Sequence, residues 1–175
     1  MTTDPRYPVG KFKKLEAYTD ASRAAAIGAI TALPATLRNA VAGLTEAQLD
    51  TPYRDGGWTL RQVVHHLADS HANAYIRTRF TLTSEKPTIM PYPEALWAEL
   101  TDAKSGPAEW SLAMLDGMHA RWTMLLKACP AADFSRAFVH PDHGERSLDW
   151  MVEMYAWHSR HHTAHFTELR KSKGW

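Results

Sequence analysis

Leu60, Val63, Val64, Leu67, His71, Ala74 and Tyr75 recur at intervals of one, three and four, directly behind the capping-box pattern Thr59-x-x-Gln62. This spacing draws one stripe along a helix, and the Thr/Gln pair marks its start. A helix from about residue 60 to 82 is expected. The same period returns in three other segments. Ile27, Ile30, Leu33, Leu37 and Val41 mark a helix beginning near Asp20, which Pro34 should kink or break near its middle. WSLAMLDGMHARWTMLLKAC, residues 110–129, is long and amphipathic and stops at Cys129-Pro130. Leu148, Met151, Met154, Tyr155 and Phe166 share a face of a last helix, about residues 148–171, stopped by Gly174.

The intervening segments are short. Thr45-x-x-Gln48 caps a brief helix ending near Asp50, TPYRDGG (51–57) is a loop, and KPTIMPYP is a Pro-broken connection. PEALWAELTDA suggests one more short helix, and AFVHPDHGER (137–146) is the only plausible β or extended stretch. Residues 1–18, rich in Pro, Lys and Tyr, read as an extended arm. Four long helices with little strand signal give an all-α four-helix bundle with extra short helices, as a single domain over residues 1–175.

Charge excludes some partners. Twenty basic against nineteen acidic side chains leave a net charge of +1, which offers no electrostatic case for nucleic acid or an anionic membrane. The start of the chain lacks the apolar run of a signal peptide, and no stretch approaches the roughly 18 apolar residues of a membrane span. A soluble, cytoplasmic protein is expected. The lone Cys129 rules out an internal disulfide and a multi-Cys zinc site.

The chemistry concentrates in histidine. HSRHHTAH, residues 158–165, holds two overlapping H-x-x-x-H pairs, His158/His162 and His161/His165. Residues four apart on a helix lie about 40° apart, so either pair presents two imidazoles to one ion. A third ligand has to come from elsewhere, and VVHHLADSH supplies His65, His66 and His71. His71 lies on the apolar stripe and suits a buried, hydrogen-bonded role, while His66 lies about 60° from Val63 at the edge of that stripe. The helical wheel alone does not choose between them. Three histidines would leave a tetrahedral position open, the mark of a catalytic rather than a structural site.

Other catalytic patterns find no support. The zinc-protease signature H-E-x-x-H fails because Ser159, Arg160 and His161 stand between His158 and His162. Ser70 and Ser159 are ordinary helix serines, and Cys129 at a helix end is a poor nucleophile. His119, His140 and His143 read as structural. Trp58 and Trp157 neighbour the histidine clusters and suit the walls of a pocket.

GGWTLRQVVHHLADSHANAYIR (56–77) and YAWHSRHHTAHF (155–166), with the YPVGKF start, LDTPYRDGGW and KP-x-I-x-PY-x-E-x-x-WAEL, resemble the DinB-like superfamily. The nearer likeness is to its YfiT branch, metal-dependent hydrolases related to bacillithiol S-transferases. The resemblance runs along nearly the whole chain. It implies an up-down-down-up four-helix bundle, a cytoplasmic homodimer, and one divalent metal per subunit, zinc first and nickel second, held by His66, His158 and His162. His161 and His165 then become neighbours of the site. The wider superfamily's H-H-R-G-Q is replaced here by His161-His162-Thr163-Ala164-His165.

The function implied is a metal-dependent enzyme that activates a water or a low-molecular-weight thiol against a small electrophilic substrate. It would be a hydrolase or a thiol (bacillithiol-like) S-transferase. Asp69, one turn after His66, is a candidate to orient a ligand or act as a base, and equally a solvated helix acid. The contrasting expectation is a non-catalytic, metal-stapled bundle serving as a dimeric interaction module.

Overall fold

A computed structural model describes residues 4–175; residues 1–3 of the expected arm fall outside it. Four long helices dominate: α1 (Asp20–Val41), α3 (Leu60–Thr83), α6 (Ala108–Ala128) and α7 (Leu148–Lys173). Between them lie α2 (Glu46–Leu49), α4 (Glu94–Trp97), α5 (Thr101–Ser105), a 3-10 turn (Ala131–Ser135) and a hairpin, β1 (Ala137–His140) with β2 (Gly144–Ser147). PEALWAELTDA therefore forms two short helices rather than one. Residues 4–19 form turns and irregular coil, tied to α7 by the Trp157 indole N–H donating to the Gly10 carbonyl at 3.1 Å.

Both expected capping boxes form. The Gln48 backbone nitrogen lies 3.3 Å from the Thr45 hydroxyl, and that of Gln62 lies 3.2 Å from the Thr59 hydroxyl, with each glutamine side chain accepting in return from its threonine N–H. A third box, Thr19 with Ser22, opens α1. Gly174, at φ +70°, closes α7 in the left-handed conformation.

Contacts between helices fix their directions. Arg23 near the start of α1 pairs with Asp149 near the start of α7 at 2.7 Å, and Arg170 near the end of α7 donates to Ala40 and Ala42 at the end of α1, so these two run parallel. Arg38, late in α1, grips Glu109 and Asp116, early in α6, so α1 and α6 are antiparallel. His65 meets Ser111 and Thr78 meets Trp122, which makes α3 and α6 parallel. The order is up-down-down-up, with each helix packed on two neighbours.

Pro34 neither breaks nor ends α1, which continues to Val41. Lacking an N–H, Pro34 cannot serve the carbonyl of Ile30 four residues earlier. That carbonyl instead accepts from Nδ1 of buried His119 on α6 at 2.7 Å. A histidine on the neighbouring helix thus replaces the missing backbone donor. Among the described residues α1 is also the one helix long and apolar enough to cross a membrane by length and composition. Here its Ile27, Ile30, Leu33 and Leu37 are buried in the bundle.

The core has two apolar halves. One gathers Ile30, Trp122, Leu126, Phe138, Leu148 and Met151; the other gathers Leu37, Leu60, Val64, Leu67, Leu115 and Phe166. Between them, His71 on α3, His119 on α6 and His162 on α7 are buried without belonging to either half. A polar layer crosses the bundle there.

The long α3–α6 connection is pinned to α3. Buried Arg61 binds Glu46, Asp50 (2.6 Å) and the Gly106 carbonyl (3.0 Å), and the Gln62 side-chain amide donates to the Ala98 carbonyl at 2.7 Å. Further along, Ile89 and Val139 bond the segment to the hairpin through Ile89 N–H to Val139 O and Val139 N–H to Pro87 O, both 2.9 Å.

Candidate metal centre

The polar layer contains the candidate site. α3 and α7 are antiparallel neighbours, so residues 66–71 face residues 155–162. His66 Nε2 lies 3.2 Å from His158 Nε2, and one ring nitrogen from each of His66, His158 and His162 lies within 4.8 Å of the others. His66 and His162 are buried and His158 is partly buried. A second group, His161, His162 and His165, meets the same distance test but shares His162 with the first.

Electrostatics keep these rings neutral. Burial, helped by the charge of neighbouring imidazoles, holds His158 and His162 well below the ordinary histidine range and pushes His66 down to about 4. Neutral imidazole is the form that offers a lone pair to a metal. Burial likewise lowers His161 to about 4 and His165 to about 3.

His71 supplies the next link. Its Nε2 lies 3.1 Å from His158 Nδ1. For His158 to keep a lone pair on Nε2, its proton has to sit on Nδ1 and be donated to His71. The opposite arrangement, with His158 Nε2–H donating to His66 Nε2, blocks both Nε2 lone pairs. An ion between His66 and His158 therefore requires the first arrangement, with His71 as acceptor. His71 then carries its own proton on Nδ1, which is buried without a partner. His162 Nδ1 is also buried and unpartnered. A donor set of three neutral, mutually close imidazoles fits a zinc- or nickel-type ion.

The remaining histidines divide clearly. His65 is anchored to Ser111 (2.8 Å) and the Gly106 carbonyl (3.1 Å), away from the cluster. His161 stacks on Trp157 with ring centroids 4.5 Å apart, and His165 stacks on Tyr53 at 4.0 Å. Trp58 packs against His66 at 4.8 Å. Both tryptophans singled out from the sequence thus touch the histidine cluster.

Asp69 is partly buried, and its carboxylate makes no hydrogen bond to the three clustered histidines among the described residues. Burial and then the Asp102 charge raise it to about 6. Ser70 Oγ lies 3.4 Å from the Tyr155 hydroxyl. Cys129 lines a separate cleft with Arg23 and Leu126, and burial raises its thiol.

Cavities open on two sides of the cluster. His162 lines one of about 260 Å³, enclosed by the 53–58 loop and Trp58. Gly57 is required there, since a Cβ would fall 2.7 Å from Arg54 Cγ and 3.2 Å from the Arg54 carbonyl oxygen. His158 lines the other, about 90 Å³, with Arg77, Glu94, His140 and His143. His140 and His143, which the sequence suggests are structural, thus lie at a cavity, and Arg77 joins them without any pattern in the sequence to mark it.

The model of the DinB superfamily matches residues 29–166. The chain is 49% identical over 170 residues to the Bacillus subtilis protein named "putative metal-dependent hydrolase YfiT", covering 97% of this chain and 96% of that one. It is 50% identical over 172 residues to a Bacillus cereus protein also named "putative metal-dependent hydrolase", covering 98% and 99%. The solved structure of Bacillus subtilis YfiT, described as a probable metal-dependent hydrolase with an unusual four-helix bundle topology, superimposes with a TM-score of 0.96 at 47% identity, over 99% of each chain.

Proposed function

The chain belongs to the DinB superfamily, and from that premise we propose that it is a metal-dependent enzyme in which His66, His158 and His162 hold one divalent ion. The observation that carries this reading is the convergence of three neutral imidazoles within 4.8 Å at the centre of the bundle. Zinc is the first candidate and nickel the second, since borderline ions accept imidazole nitrogen readily. Held by three uncharged ligands, such an ion would keep its +2 charge and would supply Lewis-acid activation of a water or thiol.

The chain's own residues do the rest. His71 accepts the Nδ1 proton of His158 and so sets its tautomer. Trp58 packs against His66, with ring centroids 4.8 Å apart. His161 and His165, each stacked on an aromatic ring, pack around the site rather than bind.

Hydrolysis of a small electrophilic substrate is the first reading, in keeping with the names of the relatives. Transfer to a low-molecular-weight thiol is the second, favoured by the separate cavities beside His162 and His158, which suit two reactants. The reading includes a cytoplasmic homodimer, for which exposed Trp110, Met114 and Met124 on one side of α6 offer an apolar contact.

Elemental analysis of purified variants tests the ligand set. His66→Ala, His158→Ala and His162→Ala are each expected to lose metal, and His161→Ala to keep it. Full occupancy in His158→Ala would overturn the assignment. Metal removal that unfolds the chain, with no turnover of esters, amides or thiol–electrophile pairs, would leave a structural staple instead.

A further inference from the structure

The cavity beyond His158 is built from distant parts of the chain. Pairing of residues 87–89 with Val139 brings the 90–94 segment against the hairpin, so Glu94 comes beside His140 and His143. A second void of about 110 Å³ continues outward and shares Arg77, Glu94, His140 and His143 with the first. His158 lines the first of these cavities and Tyr92 the second.

Arg77 is the unusual group common to both. It stands on α3 eleven residues after His66, and so turned by about 20° from it. Its side chain is 9% exposed. One Nη2 hydrogen bond, 2.7 Å to the Met90 carbonyl, holds it in place, yet Nε is buried with no partner among the described residues. Among the described residues it forms no ion pair, although Glu94 lines the same cavity. The Tyr92 hydroxyl, buried and also unpartnered, lines the outer void.

A buried guanidinium with an unused N–H asks for an acceptor. Glu94 lines the same cavity and feels the Arg77 charge, yet makes no hydrogen bond or ion pair to it among the described residues. Burial and then the His143 and Arg77 charges keep His140 neutral, so Arg77 is the fixed cation of this wall. The guanidinium fork matches a carboxylate, with Nε–H and an Nη–H as parallel donors. Met151, Met154 and Phe138 provide an apolar wall between that fork and His158, suited to a short carbon chain.

We propose that Arg77 is the receptor for a substrate carboxylate, so that the enzyme acts on small molecules that place a carboxylate at Arg77 and their reacting group at the histidine cluster. This rests on the metal-centre reading for the reacting end only. The carboxylate end stands on the Arg77 cavity itself.

Calorimetric titration of the full chain, as purified and after chelation, compares succinate with its neutral isostere succinamide. Succinate is expected to bind about tenfold or more tightly, with or without metal. Arg77→Met is expected to erase the preference, and Arg77→Lys to retain part of it while losing the fork. Equal binding of the two probes by the wild type, or no saturable binding of succinate, overturns the proposal without any variant having to fold. A preference that survives in a folded Arg77→Met chain overturns it as well. Elemental analysis of the same samples reports separately on the metal centre, because neither probe needs the ion.

Discussion

Replacing His71 by phenylalanine should weaken metal binding while sparing the fold. The 3.1 Å contact with His158 Nδ1 is the only hydrogen bond to that nitrogen among the described residues. In the metal-bound state the His158 proton sits on Nδ1, and in the His71→Phe variant it has no acceptor. A buried donor left unsatisfied costs about 1–3 kcal/mol. In the metal-free state His158 can move its proton to Nε2 and donate to His66 Nε2, 3.2 Å away, so little is lost. The penalty therefore falls on the bound state, and affinity should drop by about 5- to 150-fold. The metal-free variant should melt no lower than the parent, since the unpartnered His71 Nδ1 is removed. Competition against a chromogenic chelator measures the affinity, and circular dichroism the melting. A folded His71→Phe chain that binds metal within about twofold of the parent would refute the coupling between the two rings.

Two other outcomes follow from the same layer and its surroundings. His119→Phe should cost about 1–3 kcal/mol by baring the Ile30 carbonyl, and distinctly less in a Pro34→Ala background, where residue 34 regains its N–H; additive costs in urea titration would contradict this compensation. Asp69→Asn should stabilise the chain at pH 8. Burial and the Asp102 charge push the folded carboxyl up to about 6 from an ordinary 3.8, so the penalty is complete above the folded value and gone below the ordinary one. Discounted for partial exposure, it amounts to about 1–2 kcal/mol, and an unchanged difference between pH 3.5 and pH 8 would count against it.

The helices were legible because their signals are local. Thr59 and Gln62 cap α3 through neighbours three residues apart, and apolar periodicity needs no knowledge of the rest of the chain. The break expected at Pro34 does not occur for the opposite reason: its compensation comes from His119, and the bond to Ile30 spans 89 positions. The H-x-x-x-H spacing pointed to a metal, but both pairs of α7 are buried or partly buried, so burial cannot select between them. Selection depends on which residues α3 presents across the bundle. His71 was recognisable as a buried histidine, whereas its partner was not. Arg77 carried no signal, since its cavity exists only once residues 87–89 pair with the hairpin.

His66 and His158 stand 92 positions apart, on helices whose contact closes one of the longest loops in the chain. Closing such a loop is entropically slow and comes late in folding. A nascent chain therefore has no high-affinity site to fill until its final helix has docked between α1 and α3. An ion held by the three proposed ligands would bind only the assembled bundle, and mass action would then favour that state.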